Sequence, residues 1–196
     1  IHDLDLIIQS GERVGIVGLN GHGKTTLFYA IAGLTHWQRG SIKIGGEEIG
    51  RTRSQGPGRY THIVVKKGLA IMPQGDEIFH GLTVEEHLDS GAFTPKSWKN
   101  RKQKREQILE IFEPLKKLIH TPVGRLSGGE RRMVSIGRGM MSEAKLYMAD
   151  EPTLGLAPKI GKGVLEALLK INLKDSAMII AEQNVALLEG KVDRII

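Results

Sequence analysis

The sequence predicts an α/β fold in which a parallel sheet is interrupted by an all-helical insertion of roughly 60 residues. Short apolar runs alternate with helical stretches at both ends of the chain, one long helical stretch separates them, and glycines gather in discrete clusters. The 196 residues are 40% hydrophobic and 26% charged. Such a chain can bury one core with a small subdomain.

The apolar patterns give a provisional order of elements. We predict strands at 4–8, 14–17, 41–44, 69–72, 146–149 and 177–180, helices at 24–32, 159–173 and 184–190, and a loop at 51–60. Between 84 and 141 the pattern is helical, and Pro114 should break a helix near Glu113. We expect one domain over 1–196, with a core at about 1–80 and 144–196 and a helical subdomain at about 81–143.

Composition and charge exclude several classes of protein. The absence of cysteine excludes disulfide frameworks, thiolate nucleophiles and metal sites with cysteine ligands. The net charge of +6 favours anionic partners. Every apolar run is much shorter than the roughly 20 residues that a membrane-spanning helix needs. The chain begins at Ile1 and stops within an apolar run, so we expect both ends to be truncated.

One glycine-rich segment fits a pattern that binds phosphate groups. Gly18, Leu19, Asn20, Gly21, His22, Gly23, Lys24, Thr25 and Thr26 match G-x-x-x-x-G-K-[ST] between a predicted strand and a predicted helix. Glycines let consecutive backbone N–H groups surround an anion, and the helix start adds unpaired N–H donors. Lys24 would reach the β- and γ-phosphates, Thr25 would offer a hydroxyl to Mg²⁺, and Thr26 could touch the α-phosphate.

A plain glycine-rich turn before a helix is the simpler interpretation of the same residues. The strand before the segment and the helix after it favour a nucleotide triphosphate instead. The segment alone does not separate kinases, GTPases and ATPases, and His22 is expected to fill a tolerated position within it.

A second segment, Leu126-Ser127-Gly128-Gly129-Glu130, marks another helix start. Ser127 and Glu130 have the spacing of a capping box, which is a common structural feature without any function of its own. Two glycines in a first turn are poor helix formers, at about 1 kcal/mol each. Their use is to let a phosphate approach the helix N-terminus, so we predict that Ser127, Gly128 and Gly129 form a second phosphate-binding helix start.

The ordered set of Gly18–Thr26, Gln74, Leu126–Glu130 and Leu146–Glu151 resembles the ABC-type ATPase cassette over nearly the whole chain. The resemblance implies a P-loop NTPase (RecA-like) sheet with an inserted helical subdomain, ATP and Mg²⁺ as ligands, and ATP hydrolysis. In that family Leu126–Glu130 is the signature motif, which closes on ATP held by the P-loop of a second cassette. An Asn-Lys-x-Asp guanine-binding motif, expected of a G protein, is absent from the sequence.

The resemblance also implies roles for three further polar residues. Asp150 at a strand end can hold Mg²⁺ through water, and Glu151 is placed to orient or deprotonate the attacking water. Adjacent residues of an extended chain point to opposite sides, so the two carboxylates can serve different atoms. Gln74 corresponds to the Q-loop residue that contacts Mg²⁺ and the catalytic water. Without the glycine-rich segment, an acidic turn before Pro152 would be the preferred interpretation.

Three positions depart from the common cassette. Ala157 stands where an aspartate is usual, Arg131 stands where glutamine is usual, and Gln183 takes the position of a catalytic switch histidine. Glutamine donates a hydrogen bond without charge, so its contact with the γ-phosphate should be weaker and hydrolysis slower. Residues 151–158 and 182–184 resemble the importer branch for branched-chain amino acids or for urea and short amides.

That branch implies that this subunit lies at the cytoplasmic face of the membrane and that it has three kinds of partner. They are a second ATPase cassette, integral membrane permease subunits and an extracytoplasmic solute-binding protein. Two alternatives stay open: a soluble ABC ATPase of DNA repair or translation, and a subunit that binds ATP with weak hydrolysis. The basic run at 96–105 is interpreted as the solvated face of a helix that buries Ile108 and Phe112, so no nucleic acid is expected.

Overall fold

The computed structural model describes residues 1, 3–37, 39–49 and 61–196, and the loop predicted at 51–60 lies outside them. The chain divides into two compact units. The first comprises Ile1–Ile71, Ala144–Asp150 and Leu173–Ile196, and the second comprises Met72–Glu143 and Glu151–Asn172. The boundaries expected from the sequence for a core and a helical subdomain stay a prediction.

A parallel sheet forms the centre of the first unit. Its strands are β1 (Arg13–Val17), β4 (Leu69–Met72), β5 (Leu146–Asp150), β6 (Ala177–Glu182) and β7 (Arg194–Ile195), in the order β4-β5-β6-β1-β7. A separate antiparallel pair joins β2 (Lys43–Ile44) to β3 (Glu47–Glu48). The strands predicted at 14–17, 69–72, 146–149 and 177–180 are confirmed to within two residues. The strand predicted at 41–44 is shorter.

The register brings the carboxyl ends of three strands to one edge of the sheet. Val17 pairs with Glu182 across the parallel β1–β6 ladder, and Asp150 pairs with Ala181 across the parallel β5–β6 ladder. Parallel strands run in one direction, so the residues that follow β1, β5 and β6 emerge side by side.

Apolar residues of the strands pack against α1 (Lys24–Ile31), with α2 (Thr61–Lys66) beside it. Phe28 and Met148 are 0% exposed and Ile179 is 1% exposed in this cluster. Gly33, with a φ of 73°, follows α1 as the sequence predicts. Burial on both faces explains why the strand sequences are continuously apolar rather than alternating.

Two predicted elements of the first unit are wrong. Residues 4–8 form no strand, and Leu4 and Ile7 are exposed by 47% and 75%. Alternating apolar residues favour a strand only where a neighbouring strand pairs with them, and the described residues provide none there. The helix predicted at 184–190 is only a three-residue 3₁₀ helix, Val185–Leu187, begun by the Asn184 side chain accepting from the Ala186 amide. In a segment this short, a single 3₁₀ turn is enough to pair the backbone groups through i to i+3 hydrogen bonds.

Helices make up most of the second unit. They are α3 (Val84–Asp89), α4 (Pro95–Ile111), α5 (Gly128–Met140) and α6 (Pro158–Leu169), with 3₁₀ helices at Glu113–Leu118 and Val123–Arg125. Thr83, Thr94 and Ser127 begin the first three of these α-helices with complete capping boxes. The predicted break at Pro114 is confirmed, because α4 ends at Ile111.

The basic run of α4 is only partly solvated. Arg105, whose side chain is 14% exposed, donates to both carboxylate oxygens of Asp89 at 2.6 Å and pairs with Glu85 at 2.7 Å. Arg101 stacks over the Trp98 ring at 3.9 Å. The ion pairs of Arg105 tie α4 to α3. Ile108 is buried as predicted, but it lies three residues after Arg105 and so shares a side of the helix with that arginine. Among the helices of the described residues, none combines the length and apolar composition that crossing a bilayer requires.

His87 on α3 is a buried polar side chain of the second unit. It is 0% exposed, and neither ring nitrogen has a hydrogen-bond partner in the described part of the chain. The Phe79 ring lies 5.5 Å from the imidazole, and the Arg138 guanidinium lies 5.4 Å from the Phe79 ring. Burial, and secondly the Arg138 charge, lower the pKa of His87 from 6.5 to about 4.

Replacing Gly91 by alanine should destabilise the protein. A Cβ at Gly91 would overlap the backbone carbonyl of Arg138, which cannot move without displacing α5. We expect the free energy of unfolding to fall by about 2 kcal/mol or more in urea titrations followed by circular dichroism. Gly163 on α6 is the matched control, since a Cβ there meets open space. Gly163→Ala should be neutral or stabilising by up to about 1 kcal/mol. Equal effects of the two changes would show that α3 and α5 do not pack closely at Gly91.

Acidification should unfold the protein partly through His87. Between pH 6.5 and about 4 the histidine is protonated in the unfolded chain but stays neutral in the folded protein. The free energy of unfolding therefore decreases as pH falls through this window. The loss should reach up to about 3 kcal/mol. His87→Met removes the proton site without removing a hydrogen bond, and should flatten this part of a urea-unfolding profile against pH. His62→Gln, at an exposed position of α2, should keep the wild-type slope; an unchanged slope in His87→Met would contradict the assignment.

Candidate nucleotide site

The glycine-rich segment lies between β1 and α1, as the sequence predicts. Gly18 follows β1 directly, and Gly23 is the residue before α1. Gly21 and Gly23 have φ angles of 83° and 87°, which side chains with a Cβ disfavour, so these two positions need glycine. The turn is closed by the His22 amide donating to the Leu19 carbonyl at 3.3 Å. Leu19, Asn20 and Gly21 are exposed.

Lys24 is held inside this loop. Its side chain is 7% exposed, and its ammonium donates to the carbonyl oxygens of Gly18 at 2.6 Å and Leu19 at 3.1 Å. Thr25 is half-buried at the start of α1, and Thr26 is exposed next to it. A positive charge, a helix start and a turn of backbone amides therefore occupy one place, which is the arrangement that binds an anion.

Two further predicted residues lie at the same edge of the sheet. Asp150, which is 0% exposed, ends β5, and Gln183, which is half-buried, follows β6. The Gly18 amide donates to the Glu182 carbonyl at 3.4 Å, which fixes the start of the loop against the end of β6. The first unit thus brings together the residues from Gly18 to Thr26, Asp150 and Gln183.

The second unit brings together Gln74 and Glu151, which are 77 residues apart in the chain. The Gln74 side-chain nitrogen donates to Glu151 Oε2 at 3.3 Å. Glu151 is 3% exposed and has a φ of 43°, in the left-handed region that glutamate rarely adopts. The expectation that Asp150 and Glu151 point to opposite sides assumes an extended chain at both residues. Glu151 follows the end of β5 and is not extended, so the alternation of side chains along a strand does not apply to it.

Arg132 on α5 holds the backbone on both sides of this pair. Its guanidinium donates to the carbonyl oxygens of Pro73 and Gly75 around Gln74, and to those of Glu151 at 3.2 Å and Pro152 at 3.1 Å. The residue is 2% exposed. A planar guanidinium can serve several carbonyls at once, so one side chain fixes two segments that the sequence separates widely.

The segment from Ser127 to Gly129 begins α5 and faces solvent. Ser127 and Gly128 are exposed, and Gly129 is half-buried against Ile160. The capping box is complete: the Ser127 amide and hydroxyl donate to Glu130 Oε2 at 2.8 and 2.7 Å, and the Glu130 amide donates to Ser127 Oγ at 3.4 Å. This helix start is accessible to a phosphate group from outside the chain.

The candidate metal ligands suit Mg²⁺. In the first unit Thr25 and Asp150 offer hydroxyl and carboxylate oxygens, and in the second unit Gln74 offers an amide oxygen. Each of these is a hard oxygen donor of the kind that Mg²⁺ prefers. Within the described residues, no group of three or more histidine, aspartate or glutamate side chains could hold a metal by itself. A magnesium ion bound through one or two protein oxygens and the phosphates of a nucleotide needs no such group.

The sequence does not reveal the contacts of two adjacent arginines in the second unit. Arg132 donates to the carbonyls described above, and Arg131 donates to the Asp76 carboxylate at 3.0 Å. The motifs of the sequence include neither Asp76 nor the buried Arg132, and Arg131 stands out only as an unusual residue without a consequence. Two adjacent arginines directly after a capping box are the available signal. The spacing of residues does not predict the partners of these arginines or the burial of Arg132. The acceptors are backbone carbonyls for Arg132 and, for Arg131, a carboxylate more than 50 residues away.

Comparisons with known proteins identify several relatives of this chain. The High-affinity branched-chain amino acid transport ATP-binding protein BraG of Pseudomonas aeruginosa is 36% identical over 94% of this chain and 76% of its own length. The Probable branched-chain amino acid transport ATP-binding protein LivF of Archaeoglobus fulgidus is 35% identical over 94% and 75%. A solved ATP binding subunit of an ABC transporter superposes with a TM-score of 0.76 and 28% identity over 97% of this chain and 76% of that one.

The family described as ABC transporter matches residues 1–154, which is most of the chain and includes every predicted nucleotide-binding residue of both helix starts. With its parallel sheet, its glycine-rich loop and its exposed signature segment, the chain belongs to the ABC transporter family as one of its ATPases.

Proposed function

We propose that this chain is the ATP-hydrolysing subunit of an importer, and that the solute is a branched-chain amino acid. The observation that carries the ATPase part is the loop of Gly18–Thr26 at the carboxyl edge of the sheet, with Lys24 buried inside it. The solute rests on the two relatives BraG and LivF, whose names specify branched-chain amino acid transport.

The loop would bind the triphosphate. Backbone amides between Gly18 and Lys24 surround the β- and γ-phosphates, and the start of α1 adds the positive end of its dipole. The Lys24 ammonium, which donates to the Gly18 and Leu19 carbonyls, has three donors and can turn to phosphate oxygens at the mouth of the loop. Thr26 adds a hydroxyl donor for the α-phosphate.

Glu151 would act as the general base for the attacking water. The carboxylate takes a proton as the water oxygen bonds to the γ-phosphorus and the bond to ADP breaks. The Gln74 amide donates to Glu151 Oε2, and this bond orients the carboxylate. Arg132 donates to the carbonyl of Glu151 and to those of Pro73 and Gly75 on either side of Gln74, so it restricts the backbone at both residues before nucleotide binds.

Mg²⁺ fits the oxygen donors of Thr25, Asp150 and Gln74, and when bound it neutralises charge on the β- and γ-phosphates. Gln183 would donate a hydrogen bond to the γ-phosphate from the end of β6. Glutamine lacks the charge of a protonated histidine, so this departure favours slow hydrolysis. Ala157, which precedes α6, has no carboxylate to offer where the common cassette has an aspartate.

A second cassette would complete the site. The exposed start of α5 at Ser127, Gly128 and Gly129 has the chemistry to cover the γ-phosphate of ATP held by another copy or a related chain. ATP would draw the two cassettes together, and hydrolysis would separate them. We propose that permease subunits carry this motion, that a solute-binding protein delivers the solute, and that the subunit lies at the cytoplasmic face of the membrane.

A urea or short-amide importer is the second candidate, because residues 151–158 and 182–184 resemble an importer branch that also serves these closely related solutes. A subunit that binds ATP with weak hydrolysis is favoured by Gln183 and Ala157. A soluble ABC ATPase of DNA repair or translation has only the net charge of +6 in its favour.

Two substitutions separate nucleotide binding from chemistry. Lys24→Ala should abolish retention of Mg-ATP in equilibrium titration, because the loop loses the ammonium that is buried within it. Glu151→Gln should bind Mg-ATP normally but turn over at least about 10²-fold slower, the usual loss when a general base is removed. Lys116→Ala and Glu166→Gln, at exposed positions of a 3₁₀ helix and of α6, are the matched controls and should behave as wild type. Normal phosphate release by Glu151→Gln would refute the assignment of the base.

Uptake of labelled solute tests the identity of the cargo. A cell that lacks this subunit should lose uptake of leucine but keep uptake of urea, and the wild-type gene should restore leucine uptake while the Glu151→Gln gene should not. Loss of urea uptake instead would favour the second candidate. Unchanged uptake of both, with the subunit bound to ribosomes or DNA, would overturn the transport function.

A further inference from the structure

Arg131 stands where glutamine is usual in the family, and the structure gives it two partners. Its Nε donates to Asp76 Oδ2 at 3.0 Å, and its Nη1 donates to the Leu126 carbonyl oxygen at 3.0 Å. All three residues belong to the second unit. One side chain therefore joins the segment that carries Gln74 to the residue that precedes Ser127.

The segment after β4 needs such a contact to keep its shape. Gly75 has a φ of 83° and Glu77 has a φ of 37°, and a glutamate in the left-handed region is disfavoured by its own side chain. Gln74 is exposed, so packing does not fix it. Its bond to Glu151, at 3.3 Å, is long for an amide donor and a carboxylate acceptor. Small movements of the segment would break it.

The two neighbouring arginines hold this segment differently. Arg132 is 2% exposed and bonds backbone carbonyls, so its loss would leave buried acceptors unsatisfied and would damage the fold. The side chains of Arg131 and Asp76 are 34% and 31% exposed. An ion pair with that much access to water adds little to the stability of a fold. The observation that points to a role in geometry is that Arg131 contacts both Asp76, two residues after Gln74, and Leu126, the residue before Ser127.

We propose that Arg131 is a positioning residue for ATP hydrolysis: it locks the Gln74 segment to the start of α5, so that Gln74 stays hydrogen-bonded to Glu151 while Ser127 engages nucleotide. This inference rests on the proposed ATPase function. The guanidinium holds Nε and Nη1 in one rigid plane, and in Arg131 these two donors reach the Asp76 carboxylate and the Leu126 carbonyl in fixed directions. Lysine retains the charge but has no such planar pair of donors, and glutamine retains neither the reach nor the charge.

The test compares Arg131→Gln, Arg131→Lys, Asp76→Asn and the Arg131→Gln/Asp76→Asn double variant. Three quantities are measured on each purified chain: kcat for ATP, Kd for Mg-ATP, and hydrogen exchange of the amides at 74–77. Arg131→Gln and Asp76→Asn should each lower kcat about five- to tenfold, as expected when a catalytic group is slightly misplaced. Both should leave Kd within about twofold, since the phosphate loop is untouched.

The pattern across the variants distinguishes a displaced Gln74 segment from a general loss of folding stability. The double variant should be no slower than either single variant, because all three lack the same ion pair. Arg131→Lys should recover about half or more of the lost rate. Exchange at 74–77 should be faster in the glutamine variant, while the unfolding temperature should fall by only a few degrees at most. Arg125→Gln, at an exposed position just before α5, is the matched control and should change none of these values.

The proposal would be overturned by unchanged exchange at 74–77 in Arg131→Gln, or by a kcat of that variant within about twofold of wild type. Additive losses in the double variant would also refute it, since they would show that the two residues act separately. A wild-type chain that binds Mg-ATP and never hydrolyses it would instead contradict the ATPase function. The exchange measurement would then still decide whether Arg131 holds the segment, because that readout does not depend on turnover.

Discussion

The parallel register of β1, β5 and β6 is the constraint on which the nucleotide site depends. Val17 faces Glu182, and Asp150 faces Ala181, so the chain leaves all three strands at one edge of the sheet. A shift of one residue in either ladder would displace Asp150 by one residue spacing, about 3.3 Å, relative to the residues that follow β1. The buried apolar residues of these strands therefore fix the position of polar residues that they do not touch.

The sequence predicts elements where the local pattern and the tertiary neighbour agree. At 14–17 a continuous apolar run meets partners on both sides, whereas the similar run at 4–8 has none among the described residues and remains irregular. The glycine-rich loop could be predicted because its function needs backbone conformations that only glycine adopts easily at Gly21 and Gly23. The left-handed conformation of Glu151 could not be predicted, since it opposes the preference of the residue itself.

Long-range polar contacts are the part of the site that spacing cannot predict. Arg132 bonds carbonyls at Pro73 and Glu151, and carbonyls leave no mark on the sequence because every residue has one. The carboxylate of Asp76 is visible in the sequence, but nothing local connects it to an arginine 55 residues later. Structural neighbours of a catalytic group are therefore harder to predict than the group itself, even when they determine its position.

The start of α5 shows why a structural and a functional interpretation of one motif need not compete. The capping box uses the Glu130 amide, which donates to Ser127 Oγ. Of the first amides of the helix, which have no partner within it, those of Gly128 and Gly129 remain for a ligand. Small residues at these two positions leave that end of the helix open, and the cap keeps it formed despite their poor helix propensity. The cap thus stabilises the helix turn at which we propose that phosphate binds, and the glycines keep that turn accessible.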